Sequence, residues 1–112
     1  VGLLALRAEA APAKSALLAA LDDSSPDVRI AAAETLAHLG ALDRALPALE
    51  AALRVDDVFV RLAALNAAQR LGPLARPLLP AIRQAKFVAP GHKDASDYVG
   101  RMVDYLPGRI GG

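Results

Sequence analysis

The sequence contains no cysteine and no tryptophan, and only 4% of its 112 residues are aromatic. The absence of cysteine excludes disulfide bonds and thiolate metal sites in this chain, but it does not identify a cellular compartment. With so few aromatic side chains, a core has to be built from small residues, and alanine alone occupies 26 positions. Alanine and leucine favour helices, so the composition predicts closely packed helices.

Long apolar runs and an excess of one charge are also missing. No apolar stretch reaches the roughly 18 residues of a membrane span; residues 41–53, for example, contain Asp43, Arg44 and Glu50. Thirteen Lys and Arg residues against twelve Asp and Glu residues leave a formal charge of +1, and the arginines are scattered. Nucleic-acid binding usually requires a basic face. The sequence therefore predicts one soluble domain, residues 1–112, without a nucleic-acid footprint.

The chain contains an internal repeat. Residues 25–40, SPDVRIAAAETLAHLG, recur thirty-two positions later as residues 57–72, DVFVRLAALNAAQRLG. Ser25 before Pro26 predicts a capped helix start, and Gly40 predicts a left-handed helix end. Apolar residues at helical spacing predict one buried face in each copy: Val28, Ala32, Leu36 and Leu39 in the first, and Val60, Ala64, Ala68 and Leu71 in the second.

The remaining segments predict partner helices for these two. Residues 1–10 resemble the end of a helix, Pro12 suits the first turn of the next, and a further helix is expected over 45–54 with Pro47 in its first turn. In a third unit, helices are expected over 80–87 and from Ser96 or Asp97 to residue 106, joined by a loop at 89–95. Val99 takes the place of Val60 there, at an offset of thirty-nine.

The repeated pattern of Asp, Ser-Pro-Asp-Val-Arg, Ala-Ala, Leu and Leu-Gly resembles HEAT repeats of the short bacterial type first noted in phycobilisome lyases. The resemblance implies an all-α fold, a short α-solenoid of about three helix-turn-helix units, approximately 12–40, 41–72 and 73–107. A period of this length is typical of such solenoids. The pairs Asp57 with Arg61, and Asp22 or Asp23 with Arg29, are then expected to form a structural ladder between units, rather than an anion site at the helix N-termini.

A second resemblance covers residues 60–106, which contain VRLAALNAAQRLGPLARPLLPAIRQA and YVGRMVDYL. This part is similar to the helical C-terminal extension of some exported bacterial sulfatases. The resemblance implies an accessory region of a longer exported chain, in line with a sequence that starts at Val1. It does not imply catalysis, because a sulfatase nucleophile needs Arg four positions after Cys or Ser, and Val28 stands four positions after Ser24.

Other chemistry finds little support in the sequence. His92, Asp94 and Asp97 are weighed as metal ligands, but one histidine with two loop carboxylates is ordinary surface chemistry. A glycine-rich phosphate loop is absent, and the hydroxyls of Ser15, Thr35 and Ser96 have no suggested base. No enzyme activity, metal or cofactor is predicted for this segment.

The most informative surface is the strip opposite the buried face of each second helix. Second helices of stacked units lie side by side, so aligned positions should form adjacent rows of a surface for a protein partner. Ile30 and Leu62 provide either an exposed apolar patch or residues partly buried by packing between units. The predicted partner-binding residues are Ile30, Glu34, His38, Leu62, Asn66, Arg70, Arg101 and Tyr105. Nucleic-acid binding is the alternative function, against which the near-neutral charge argues.

Overall fold

A computed structural model describes residues 13–111, and the helix expected over residues 1–10 and the start expected at Pro12 lie outside them. Residues 13–20 are helical (α1). The helices that follow are α2 (Pro26–His38), α3 (Leu42–Leu53), α4 (Val58–Leu71), a 3-10 helix (Gly72–Leu78), α5 (Leu79–Arg83) and α6 (Lys93–Ile110). The fold is all-helical, as predicted.

The two copies of the repeat begin and end as their sequences predict. The Ser25 hydroxyl accepts a hydrogen bond from the Val28 backbone N–H (3.4 Å), and the Asp57 carboxylate accepts from the N–H groups of Phe59 (2.9 Å) and Val60 (3.3 Å). These bonds satisfy backbone donors that a helix start leaves without partners. Gly40 and Gly72 end α2 and α4 with φ of +91° and +59°, angles that favour glycine.

The helices form two layers, with α4 at the centre of one of them. In that layer α4 packs against α2 on one side and α6 on the other, while α3 and the 72–83 segment lie in the second layer. Leu17, Leu18 and Leu21 from the first unit also pack on the core. Many of the buried residues are alanines, among them Ala33, Ala64 and Ala68. Small side chains let neighbouring helices approach toward the lower end of the usual 8–10 Å range.

The predicted buried face is confirmed for all four residues in α4 but for only two of the four in α2. Val60, Ala64, Ala68 and Leu71 are all buried, as are Ala32 and Leu36. Val28 and Leu39, however, are 40% and 56% exposed. The difference follows from position in the stack: α4 has neighbouring second helices on both sides, whereas the described residues provide α2 with one on a single side.

The bounds of α3 and of the segment after α4 differ from the sequence-based predictions. Helix α3 starts at Leu42, three residues earlier than expected, so Pro47 lies in its second turn and the Asp43 carbonyl loses its helical donor. The segment with Pro73, Pro77 and Pro80 forms the 3-10 helix and the short α5 instead of a helix over 80–87. Each proline removes an N–H, which leaves too few donors for a regular α-helix.

The last helix is longer at both ends than predicted. It begins at Lys93 and runs through Pro107 to Ile110, ending at Gly111 with φ of +101°. The Ser96 hydroxyl, expected as a cap, donates to the His92 carbonyl (2.8 Å) and accepts from the Ala89 N–H (2.9 Å). Ser96 therefore fastens the preceding loop to the first turn of α6 rather than starting the helix.

The repeated arginines bind backbone carbonyls rather than the acids expected for them. Arg29 Nη1 donates to the carbonyls of Asp23 (2.7 Å) and Ser24 (3.2 Å), and Arg61 Nε donates to that of Val55 (2.7 Å), which is the position aligned with Asp23. Arg61 Nη1 also reaches the Ala85 carbonyl in the third unit (3.1 Å). The predicted link between units is thus present at Arg61, but Asp57 caps α4 and takes no part in it.

Candidate partner-binding surface

Aligned positions on α2, α4 and α6 form three rows, which we call the α2, α4 and α6 rows. The offset of thirty-nine between α4 and α6 is supported by burial, because Val60, Ala64, Ala67 and Leu71 are buried and so are Val99, Val103, Leu106 and Ile110. The α2 row contains Asp27, Ile30, Glu34 and His38. The α4 row contains Phe59, Leu62, Asn66 and Arg70, and the α6 row contains Tyr98, Arg101, Tyr105 and Arg109.

A groove of about 250 Å³ lies between the α2 and α4 rows. It brings together four of the residues predicted from the sequence, Ile30, Glu34, Asn66 and Arg70, and its other lining residues are Asp27, Ala31 and Ala63. The small side chains of Ala31 and Ala63 leave open the space between the two helices. The geometry therefore provides a shallow groove with an apolar base and a polar rim.

The prediction that Ile30 could form an exposed apolar patch with Leu62 is wrong. Ile30 is only 5% exposed and belongs to the hydrophobic core, while Leu62 is partly buried and packed against it. The other possibility, burial by packing between units, describes both residues. They fail as a patch because α2 and α4 approach closely enough to cover them. Ile30 still lines the groove, and it contributes apolar surface at the base rather than a protruding anchor.

The polar residues at one end of the groove bind each other. Arg70 Nε and Nη2 donate to the two carboxylate oxygens of Glu34 at 2.8 and 2.7 Å, a two-point ion pair that joins α2 to α4. The exposed His38 lies farther away, with Nε2 3.9 Å from Glu34. The hydrogen bonds from Arg70 lower the pKa of Glu34, and the same bonds raise the pKa of Arg70. Much of the charge of this predicted cluster is therefore satisfied within the chain.

The Glu34–Arg70 pair predicts a pH-dependent contribution to stability. Because the folded pKa of Glu34 lies below the ordinary value of 4.5, the contribution is complete above that pH and is lost as pH falls through the folded pKa. With Arg70 largely exposed, we expect about 0.5–1 kcal/mol. Thermal unfolding of wild type and Glu34→Gln should therefore differ at neutral pH and converge in acid.

A suitable control for that measurement is Glu50→Gln, which removes the same charge from an exposed pair with Arg54. Its midpoint should differ less from wild type at neutral pH, because exposed helix pairs contribute little. If the Glu34→Gln difference persisted unchanged into strong acid, the ion pair would not be its cause.

Asn66 and Asp27 are the polar groove residues left without such partners. Within residues 13–111 the Asn66 carboxamide makes no hydrogen bond and the Asp27 carboxylate makes no ion pair. Asn66 can both donate and accept hydrogen bonds, and it lines the groove between the apolar base and the ion pair. A partner in the groove would therefore find one free carboxamide and one free carboxylate.

The structure separates Arg101 and Tyr105 from this groove. Arg101 lines another depression, shared with Lys86, Val88 and Asp104. The Arg101 guanidinium lies 5.6 Å from the centre of the Tyr98 ring, and the Arg109 guanidinium lies 5.6 Å from that of Tyr105. The sequence-based prediction did not include Tyr98 and Arg109, although these residues align with Phe59 and Arg70 in the repeat. The α6 row is therefore a distinct surface of alternating tyrosine and arginine.

Two of the three residues weighed as metal ligands, His92 and Asp97, have other contacts. The His92 ring packs edge-on against Phe59, with centroids 5.0 Å apart, and Asp97 binds Lys93 at 2.7 Å. The Lys93 hydrogen bond lowers the pKa of Asp97. Over residues 13–111, no group of three or more His, Cys, Asp or Glu side chains has an arrangement suited to a metal ion.

Two of the three hydroxyls considered as nucleophiles, those of Thr35 and Ser96, are bound to backbone groups. Thr35 donates to the Ala31 carbonyl at 2.9 Å, and Ser96 donates to that of His92. Ser25, in the segment compared with the sulfatase motif, caps α2. Hydroxyls held in this way act as local helix contacts. Within residues 13–111, none of the helices has both the length and the apolar character needed to cross a membrane.

The family model described as HEAT repeats matches residues 2–85, well over half of the chain. The match ends before α6, so the alignment of α6 with α4 rests on its packing and its buried positions rather than on the family model. Neither the curated proteins nor the solved structures provided a match.

Proposed function

We propose, because the chain belongs to the HEAT repeat family, that it is a non-catalytic scaffold that binds a protein partner, and that it serves as an accessory region of a sulfatase-like hydrolase. HEAT repeats generally act as protein-interaction scaffolds. The observation that carries the proposal for this chain is the groove between the α2 and α4 rows. It combines an apolar base at Ile30 with the free carboxamide of Asn66.

The groove suits a polypeptide better than a small molecule or a nucleic acid. It is shallow and open along the helices, whereas small-molecule sites are usually concave enough to bury most of the ligand. The Asn66 carboxamide matches a peptide group, since both carry one acceptor and N–H donors. Arg70, the basic residue of the groove, is bound to Glu34, and the chain has a formal charge of only +1. These features favour a protein partner.

Site-specific photo-crosslinking tests this proposal directly. We expect a photoreactive amino acid at position 66 to capture a partner protein in cells of the source organism, because Asn66 lines the groove. The matched control carries the same amino acid at position 44, since Arg44 is exposed on α3 in the other layer. Equal capture from both positions, or capture only from position 44, would contradict a partner-binding groove.

The sulfatase-like assignment rests on the resemblance of residues 60–106 to the C-terminal extension of exported sulfatases. An accessory region needs no nucleophile of its own, in agreement with hydroxyls that bind backbone groups. The test is the coding sequence upstream of Val1. A Cys or Ser followed by Pro two positions later and Arg two positions further would support the assignment, and an export signal would accompany it. A start codon at that point would overturn it.

A further inference from the structure

The α6 row carries a surface that the groove does not use. Tyr98 and Tyr105 are 43% and 47% exposed, and both Arg101 and Arg109 are exposed between and beyond them. The spacing of three, four and four residues places the four side chains along one face of the helix. This row has the greatest exposed aromatic area of the three, since the α2 row has no aromatic residue and the α4 row has only Phe59.

Neither arginine of this row forms an ion pair with the described acids around it, although the charge of Arg101 acts on the nearby Asp97 carboxylate. Asp97 is held by Lys93 at 2.7 Å and Asp104 by Lys86 at 3.1 Å. Among the described residues, no carboxylate lies within 4.0 Å of either the Arg101 or the Arg109 guanidinium. Arg70 on the neighbouring row differs, because Glu34 already binds it. The α6 row therefore presents two positive charges to solvent.

The tyrosine rings restrain the side chains of these arginines. Each guanidinium lies 5.6 Å from a ring centre, within the range of a cation–π contact. Such a contact restrains the side chain without using its N–H donors, which stay available for a carboxylate. Tyrosine and arginine are also the residues that contribute most often to binding energy in protein interfaces. The row thus has restrained cations, apolar surface and free donors in one line.

We propose that the α6 row binds an acidic segment of a partner protein, with carboxylates on Arg101 and Arg109 and an apolar side chain over Tyr105. This inference rests on the proposed scaffold function and names the chemistry of the partner. Arg101 and Arg109 are eight residues apart, which is about 12 Å along a helix. A helical partner segment would therefore carry its two carboxylates eight positions apart. A phosphate backbone needs a continuous basic track, whereas this row provides only two separated arginines.

The tyrosines provide a direct probe for this test. The chain has two tyrosines and no tryptophan, so its intrinsic fluorescence reports on the α6 row alone. The probe is a helical peptide without Tyr or Trp, with glutamates at the Arg101–Arg109 spacing and leucine midway between them. We expect it to change the tyrosine fluorescence, and a peptide with glutamines in place of the glutamates to bind about tenfold more weakly.

Paired variants separate specific contacts from net charge. Arg101→Gln with Arg109→Gln should weaken binding of the acidic peptide about tenfold, whereas Lys14→Gln with Arg44→Gln removes the same charge from α1 and α3 and should leave binding within about twofold. All four residues are exposed, so equal thermal midpoints will verify folding.

Three results would overturn the proposal: no binding of the acidic peptide, equal weakening by both double variants, or binding of single-stranded oligothymidylate instead of the peptide. None of them would alter photo-crosslinking from position 66, so the groove is tested separately.

Discussion

Replacing Ala64 with leucine is expected to lower the free energy of unfolding by about 1–3 kcal/mol, the usual cost of overpacking a dense core. Ala64 is fully buried in α4, the helix that packs against α2, α3 and α6. Three added carbon atoms at this position would have to displace a neighbouring helix or adopt a strained rotamer. Thermal unfolding followed by circular dichroism will measure the effect, with a midpoint lower by several degrees.

Gln69→Leu provides the matched control, because Gln69 is exposed on the same helix. It introduces the same side chain with similar helix propensity and should change the midpoint little, as surface substitutions usually do. An Ala64→Leu protein as stable as wild type would mean that the core around α4 has room for a larger residue. The packing argument based on alanine would then be wrong.

The contrast between α4 and α2 explains what the sequence could predict about the fold. Helical spacing identifies which residues share a face, and for α4 that face is buried at Val60, Ala64, Ala68 and Leu71. The same spacing fails for Val28 and Leu39, because periodicity does not indicate which faces have a neighbouring unit. The ends of α2 and α4, each marked by a side-chain cap and a glycine, were predicted well. The ends of helices near several prolines were not predicted well. Proline removes backbone donors, but it does not determine which type of helix forms in place of a regular α-helix.

The position of the groove was predictable from the sequence, but the contacts of its side chains were not. Alignment of the repeats places Ile30, Glu34, Asn66 and Arg70 near one another, and the structure brings these four to one groove. Alignment does not reveal that Glu34 and Arg70 bind each other or that Ile30 is buried. The Glu34–Arg70 ion pair and the burial of Ile30 depend on the distance between α2 and α4. The alanine content indicates that helices pack closely, but it does not give that distance. Repeat register therefore identifies candidate rows, and packing decides which residues stay free.

Arg61→Met should cause the largest loss of stability, about 2–4 kcal/mol. Arg61 is only 8% exposed and donates to four backbone carbonyls, those of Arg54, Val55, Ala85 and Lys86. Methionine can fill much of the space but cannot donate, and a buried acceptor left unsatisfied costs about 1–3 kcal/mol. The guanidinium also lies 4.6 Å from the Phe87 ring centre, so its removal loosens the segment between α5 and α6.

Arg29→Met is the control that the repeat itself supplies. Arg29 occupies the aligned position in the previous unit, but its two carbonyl partners, Asp23 and Ser24, are in its own unit and exposed. Water can replace the lost donor there, so we expect a cost below about 1 kcal/mol. Chemical denaturation of both variants will measure the difference. Arg61→Lys should fall close to Arg61→Met, because a single ammonium cannot reach carbonyls on two sides as the planar guanidinium does.

The comparison of these variants also tests the architecture. If Arg61 joins the second and third units, its loss should increase hydrogen exchange most in residues 85–92, which begin with the two carbonyls that it binds. Arg29→Met should leave that segment unchanged. Equal destabilisation by Arg61→Met and Arg29→Met would contradict this prediction. Both arginines bind carbonyls in their own unit, and those contacts alone would then account for the loss of stability in each variant. The contacts of Arg61 with Ala85 and Lys86 would then add nothing to stability, and the third unit would be held by its apolar face alone.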